Sequence, residues 1–446
     1  MYLLYSFLLS VGAVVLFPYL VYLVTFKPKY RHNLGQRFGF LPESFQSNGR
    51  ETIWVHAVSV GETLAAQPLI DELKKRLPDI RIVISTTTAT GQAIARDRFG
   101  LESVFQFPLD FASCVRRALS TIRPAAVILM ESELWPRFIH ECKRRRIPVI
   151  IGNGRMSDRS FRGYQRMTWW SGKILANVTL WLMQSPADAE RIRALGISGS
   201  KIQNVGNLKY DLKIGNQQKR ELIAESVSLS FGLNASDKLI IAGSTTTDEE
   251  PIILDAFRKL RKIDGLAQTR LMIVPRHPER FDEVAEMIKR SGFSLARRSL
   301  PDNSGAIADV LLLDTIGELA AVFPLASVVF IGGSLVPKGG HNILEPAACA
   351  KPVVVGPHME NFRQVMKDFT ARKAVVPLDD LEGEALVKAL AATLGELMLN
   401  EQARRVLGER AQAVIVENRG AAERCADQII ALLDSSKVKK IESAKV

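Results

Sequence analysis

The sequence is poor in the residues that build metal and redox sites. Its four cysteines, Cys114, Cys142, Cys349 and Cys425, are scattered singly through 446 residues, and only six histidines accompany them. No C-x-x-C pair and no Cys/His cluster at ligand spacing occurs, so zinc ribbons, iron–sulfur frames and disulfide scaffolds are excluded. Reduced core thiols in a cytosolic compartment are expected instead. There is no D-x-D, the acidic pair that most simply carries a divalent ion to a phosphate, and no internal repeat of 20–50 residues. Neither a metal nor a cofactor is expected. Charge is missing altogether from the first 26 residues.

What is present suits a folded chain of two domains. At 446 residues, 47% hydrophobic and 24% charged, with 30 Gly and 20 Pro, it is too long for one small module and too balanced for a disordered or polytopic membrane chain. The net charge of +12 favours phosphate-bearing partners. Residues 27–212 hold 28 Lys+Arg against 16 Asp+Glu, whereas residues 213–446 hold 31 of each. The whole surplus therefore lies in one half.

Residues 1–26, MYLLYSFLLSVGAVVLFPYLVYLVTF, are uncharged and run into Lys27, Lys29 and Arg31. As a helix they would reach about 39 Å, enough for a hydrocarbon layer of ~30 Å. A cleaved signal peptide needs a basic start and a small-residue cleavage site, both lacking, so an uncleaved membrane anchor is expected. Basic residues after the apolar run place the rest in the cytoplasm. Pro18 and the tyrosines at 2, 5, 19 and 22 leave a spanning and a shallow, interfacial anchor both open.

From residue 52 short apolar runs alternate with helical patterns. TIWVHA (52–57), RIVIS (81–85), AAVILM (125–130) and PVIIG (148–152) lead into helices near 62–77, 90–99 and 135–146. After a polar stretch the rhythm resumes with KLIIAG (238–243), RLMIVP (270–275), DVLLLD (309–314), SVVFIGG (327–333) and PVVVG (352–356). This predicts two doubly wound α/β domains: an anchor over 1–26, a first domain over 27–212, a linker over 213–237, a second domain over 238–434 with terminal helices, and a frayed basic tail over 435–446.

Ligands of such sheets sit beyond the carboxyl ends of the strands, and there the unusual residues collect. HAVSVGE (56–62) places Glu62 at a helix start, where it is either a base facing the crevice or the carboxylate of a Ser59-x-x-Glu62 capping box. STTTATG (85–91) offers hydroxyls and amides to a sugar or phosphate, or simply caps its helix. ESELWP (131–136) sets Glu131 and Glu133 after a wholly apolar strand, which suits proton chemistry or binding of a cationic or hydroxylated group better than a metal. Arg155, Arg159, Arg162 and Arg166 step by 4, 3 and 4 residues, aligning on one helix face beside Phe161, Tyr164, Trp169 and Trp170. With KRRR (143–146) they form either a solvated basic face or a surface for lipid phosphates; RNA is the weaker partner because no RNA-binding motif accompanies them. In the second half AGSTTTDEE (242–250), PRHPER (275–280), DTIGEL (314–319) and GGSLVPKGGHNILEPAA (332–348) converge on one rim. There Asn342-x-x-Glu345 again has capping-box spacing, and the Gly-rich turn suits a phosphate and ribose hydroxyls.

In this order HAVSVGE, ESELWP, NLKYD (207–211), PRHPER and GGHNILEP, behind an N-terminal anchor, resemble the 3-deoxy-D-manno-octulosonic acid (Kdo) transferases of Gram-negative lipopolysaccharide synthesis, from the anchor to about residue 430. The resemblance implies a GT-B fold, two Rossmann-like domains with a cleft between them. It implies a CMP-Kdo donor on the C-terminal domain and a lipid A precursor of the lipid IVA type as acceptor on the N-terminal one. Transfer would invert the anomeric configuration without a metal, at the cytoplasmic face of the inner membrane, whose anionic surface is a further partner; no nucleic acid is implied. Glu62 matches the general base, Glu131 and Lys209 the positions that stabilise the transition state. Ser244 lies in the Gly-Ser-Thr turn assigned to the donor, and Pro275, Arg276, Gly317, Glu318, Leu319, Asn342, Ile343, Leu344 and Glu345 match CMP-binding positions. Arg155, Arg159, Arg162 and Arg166 are assigned to the acceptor's phosphates. One departure is Thr246-Thr247, where the family often has a His. The rival readings are a GT-B enzyme for another nucleotide sugar and a non-catalytic module holding anionic lipid or RNA.

Overall fold

The computed structural model describes residues 2–26, 33–211, 217–234, 236–300 and 307–444, with some side chains of 2–26 and those of 168–170 and 436–444 outside the description. Lys27, Lys29, Arg31 and the side chains of Trp169 and Trp170 fall outside it. The chain divides into two compact units, residues Met1–Leu212 with Arg419–Val446, and residues Lys213–Asn418.

The first unit is built on seven strands: β1 (Thr52–His56), β2 (Arg81–Thr86), β3 (Val104–Gln106), β4 (Ala126–Met130), β5 (Val149–Gly154), β6 (Leu180–Met183) and β7 (Ile202–Asn204). They pair in the order β3-β2-β1-β4-β5-β6-β7, all parallel. Both faces of such a sheet are covered by helices, which is why β1 and β4 read as unbroken apolar runs. Ile53 and Val55 pack toward the helix Val60–Arg76, while Trp54 turns to the other face, among Phe105, Phe107 and Phe138. Trp54 donates its indole N–H to Ser85 Oγ at 2.7 Å, so that buried donor is satisfied.

The second unit repeats the plan. Strands β8 (Leu239–Thr245), β9 (Arg270–Pro275), β10 (Leu295–Arg297), β11 (Val310–Leu312), β12 (Val328–Ile331), β13 (Val353–Val355) and β14 (Val376–Pro377) pair in parallel as β10-β11-β9-β8-β12-β13-β14. In each sheet the strand order reverses beside its first strand, between β1 and β4 and between β8 and β12. That switch point opens the crevice in which doubly wound sheets bind ligands.

Three boundaries differ from expectation. Residues 213–237 are no plain linker, because the helix Gln217–Ser230 occupies most of them and belongs to the second unit. The second unit ends at Asn418, and the chain then returns to the first. Its closing helix, Ala421–Ala444, lays Ala422, Cys425, Ala426 and Ile429 against the helix Val60–Arg76, and Asp211 accepts from the Gly420 and Ala422 amides, both at 2.6 Å. Helix therefore continues through most of the stretch expected to fray. With this return, the first unit carries 34 Lys+Arg against 20 Asp+Glu, and the second 25 against 27. The charge contrast is sharper than the sequence halves suggested.

The N-terminal segment is a helix, Tyr2–Phe26, and a spanning anchor is not supported. Among the described residues no helix is long and apolar enough to cross a membrane. The first turn of Tyr2–Phe26 is docked on the first unit. The Tyr2 ring stacks on His140, its hydroxyl accepts from Asn177 at 2.8 Å, and the Tyr5 hydroxyl donates to Asp110 at 2.8 Å. A helix crossing with its start on the far side would have to give up all three contacts. All four cysteines are free thiols, three of them buried as expected, but Cys349 is only half-buried and accepts from Arg220.

Candidate active site

Glu62 stands in the first turn of the helix Val60–Arg76, directly after β1. Of its two readings, the capping box is not formed. The carboxylate accepts from the Val58 amide at 2.7 Å and from the Ser59 hydroxyl at 3.1 Å, while Ser59 makes no side-chain bond to a helix amide. Only 8% of Glu62 is exposed. Burial raises its pKa to about 7; the Val58 hydrogen bond opposes this, and the charges of Glu131 and Glu133 add to it. A carboxyl group so poised takes up and releases a proton near neutrality.

The loop holding Glu62 is braced from β2. Thr88 donates through its amide and its hydroxyl to the Val58 carbonyl, both at 3.1 Å, and its hydroxyl accepts from the Gly91 amide to cap the next helix. A Cβ on Gly91 would lie 2.7 Å from Thr88 Oγ1 and 3.2 Å from the Ser59 backbone. Glycine is required for that approach. Of the two readings of STTTATG, helix capping is thus the one realised at Thr88. His56, buried beneath the loop and stacked on Phe107, is driven down to about 3 by desolvation and stays neutral.

Glu131 follows β4, the neighbour of β1 across the switch point. Glu131 and Ser132 are consecutive left-handed residues, φ 54° and 82°, without being glycine. Such a step costs of order 1–3 kcal/mol per residue and persists only where its surroundings enforce it. Glu131 Oε1 meets Lys209 Nζ at 3.1 Å and Oε2 meets Arg155 Nε at 2.9 Å, so one carboxylate lies between two cations. Lys209 sits in the turn Leu208–Asp211, whose amides are held by Asn153 and Asn207. Glu133 is raised above the usual carboxylate range by burial and by the Glu131 charge, against the pull of Arg155. Glu62, Glu131, Glu133, Lys209 and Arg155 thus form one electrostatic cluster.

Arg155 therefore leaves the group to which its spacing assigned it. The helix begins only at Asp158 and ends at Arg166, so Arg155 lies in the preceding loop and turns toward Glu131. Arg159, Arg162 and Arg166 remain, exposed, while Phe161 and Tyr164 pack inward on the core.

In the second unit Ser244 occupies a bulge near the end of β8, at φ 57°, where the pairing with β9 skips a residue. Pro275 ends β9, and the Arg276 amide donates to the Thr245 carbonyl at 2.9 Å. Gly317 is left-handed, φ 89°, and Glu318 is gripped by Arg298 and Thr315. Asn342 does not form the expected capping box: its Oδ1 accepts from the Leu344 amide at 3.0 Å, and its Nδ2 donates to Glu345 at 3.1 Å. Ile343 and Leu344 are buried, so only their backbone groups can reach a ligand; Leu319 starts the short helix Leu319–Val322. His341 is pushed down to about 4 by burial, with the charges of Arg276 and His277 adding to this.

Sequence reasoning passed over Glu249. This fully buried carboxylate accepts from the Thr246 amide and hydroxyl and from the amides of Gly333, Ser334 and Leu335, at 2.6–3.0 Å. It ties the turn after β8 to the Gly-rich loop after β12. Thr246, at the departure from the family pattern, is one of its partners. The only signal for it was an acidic residue at the start of a helix beside a Gly-Ser-Thr turn.

Comparison with known proteins follows the same lines. Residues 32–212 match the family model described as 3-deoxy-D-manno-octulosonic-acid transferase (kdotransferase). The 3-deoxy-D-manno-octulosonic acid transferase of Haemophilus influenzae is 35% identical over 402 residues, covering 90% of this chain and 91% of that one. Its counterpart from Bordetella pertussis is 32% identical over 390 residues, covering 84% and 86%. Among solved structures, the UDP-GlcNAc 2-epimerase of Neisseria meningitidis bound to UDP-GlcNAc aligns with 85% of this chain and 100% of its own at a TM-score of 0.57. At 11% identity that likeness concerns the fold alone.

Proposed function

Because the chain belongs to the 3-deoxy-D-manno-octulosonic acid transferase family, and so is a glycosyltransferase, we propose that it moves Kdo from CMP-Kdo to a lipid A precursor of the lipid IVA type, with inversion and without a metal. The observation that carries this reading is Glu62: a buried carboxyl group poised at about 7, at the switch point of the first sheet, beside a carboxylate held by two cations.

Glu62 takes the proton of the acceptor hydroxyl. The freed oxygen forms its bond to the anomeric carbon of Kdo as the bond from that carbon to the CMP phosphate breaks, and CMP leaves with the electron pair. Attack from the face opposite the leaving group inverts the centre. Positive charge develops on the sugar, and Glu131 answers it; either Arg276 or Lys209 answers the negative charge of the departing phosphate. This division of labour needs no D-x-D. Ser244, Pro275, Arg276, Gly317, Glu318, Leu319 and Asn342 to Glu345 hold the CMP group, with Ile343 and Leu344 acting through their backbone. Arg159, Arg162 and Arg166 meet the acceptor's phosphates.

The protein works at the cytoplasmic face of the inner membrane, held by a shallow anchor. The exposed Phe7, Val14, Val15, Leu16, Phe17 and Phe26 of the N-terminal helix, next to a strongly basic unit, support an interfacial position on anionic lipid. The decisive experiment is mass spectrometry of the product from CMP-Kdo and lipid IVA, with E62Q alongside. The wild type should add Kdo, and E62Q should lose ~10²–10⁴-fold in rate with its fold intact. Preferential binding of UDP over CMP, or a fully active E62Q, would overturn the reading.

A further inference from the structure

Arg155 is bound to the Glu131–Ser132 step twice, once through its side chain and once through its backbone. Its Nε meets Glu131 Oε2 at 2.9 Å. Its amide donates to Ser132 Oγ at 3.1 Å, and Ser132 Oγ donates in turn to the Arg155 carbonyl at 2.7 Å. The two residues so tied are the ones in the left-handed conformation, which non-glycine residues adopt only under constraint. Lys209 occupies the other oxygen of the same carboxylate. With one cation on each oxygen, the Glu131 carboxylate is fixed in rotation as well as in place; either cation alone would leave it free to swing about the other.

We propose that Arg155 is a positioning residue of the transfer reaction: together with its Ser132 clasp it holds the strained Glu131–Ser132 step and aims the Glu131 carboxylate into the crevice at the β1/β4 switch point. A neighbouring arginine that bound the acceptor's phosphates would act on affinity. One that aims Glu131 acts on the rate of the bound complex. The inference rests on the reading that Glu131 serves the transfer.

The test is a double-mutant cycle in the full-length protein, run with whichever nucleotide sugar the wild type turns over, so that loss of the Kdo assignment leaves this inference to stand or fall by itself. R155M should lower kcat by ~10–100-fold with the KM of donor and acceptor within about twofold, and R155K should recover part of the loss. In an E131Q background R155M should add less than about threefold, because the two residues act as a unit. S132A, which removes only the clasp, should lower kcat by about three- to tenfold at unchanged KM and serves as the milder variant if R155M fails to fold. A rise in acceptor KM at full kcat, multiplicative effects in E131Q, or wild-type kcat in S132A would each overturn the inference. Transfer of a different sugar by the wild type would overturn the Kdo reading alone.

Discussion

The ring of Tyr2 lies on the imidazole of His140, with centroids 3.8 Å apart, at the very start of a helix whose later residues are exposed and apolar. One end of that helix is fastened to the enzyme, while Phe7, Val14, Val15, Leu16, Phe17 and Phe26 along it are exposed. Replacing Phe7, Val14 and Phe17 together by Ser should abolish sedimentation with vesicles of phosphatidylglycerol and phosphatidylethanolamine while leaving turnover of detergent-solubilised acceptor within about threefold. Tyr2→Ala with Tyr5→Ala should loosen the helix from the first unit, read as faster amide exchange in its first turn.

Arg159, Arg162 and Arg166 remain a basic face after Arg155 is withdrawn from it. Charge reversal at Arg159 and Arg162 should raise the acceptor KM by ~10-fold or more, with donor KM unchanged and the effect shrinking at high salt. Equal effects on both substrates would count against an acceptor-facing patch.

How the site could be read from the chain follows from where each constraint resides. Glu131 stood out because a carboxylate directly after a fully apolar strand is legible locally, whereas the spacing of Glu62 left base and cap both open and the family resemblance favoured the base; β1, β4, β8 and β9 were legible because a parallel strand buried on both faces is a largely apolar run. Strands of two to four residues such as β7 (IQN), β10 (LAR) and β14 (VP) carry no such run and exist only because a neighbour offers its edge. Arg155 was misplaced for a related reason: steps of 4, 3 and 4 are helical on paper, but the Asp188 carboxylate accepts from the Met156 amide, and the helix starts only after Ser157 caps it. The return of the closing helix to the first unit is a contact across more than two hundred residues, marked by no local pattern.

That return makes the C-terminus part of the fold that holds Glu62. Cys425, Ala426, Ile429 and Leu433 are buried on the first unit. Ending the chain after Asn418 would expose these side chains and the surface of the helix Val60–Arg76 beneath them. At about 1.5–3 kcal/mol for each fully buried large side chain, the loss is comparable to the ~5–15 kcal/mol of a typical domain. The truncated protein should lose the calorimetric transition of its first unit and all transfer, although every proposed site residue is retained. A separate second-unit transition should survive.

Glu249 holds the loops after β8 and β12 by hydrogen bonds alone. In E249A the amides of Thr246, Gly333, Ser334 and Leu335 lose their common acceptor inside the protein, at about 1–3 kcal/mol for each group left unsatisfied. Thermal unfolding of the second unit should fall sharply, and CMP binding measured by calorimetry should weaken. E249Q should be intermediate, since its amide nitrogen faces donors. Unchanged stability in E249A would mean that water replaces the carboxylate.

Glu62 links activity and stability to the same proton. Its ordinary value of 4.5 is raised to about 7 in the folded protein, first by burial and then by Glu131 and Glu133 against the Val58 hydrogen bond. As a base it works only when ionised, so kcat/KM should climb with pH through about 7 and level off above it. Stability runs the other way. Below 4.5 the group is protonated whether folded or unfolded and costs nothing; between 4.5 and 7 the unfolded chain releases the proton more readily, and folding loses on the order of 3 kcal/mol by pH 8. E62Q should therefore be inactive yet more stable than the wild type at pH 8, with the difference vanishing near pH 4. E133Q removes one of the charges that raise Glu62, so its activity limb should move to lower pH while the plateau rate is kept within about threefold. A limb that stays in place in E133Q would show that the Glu133 charge does not help to raise Glu62.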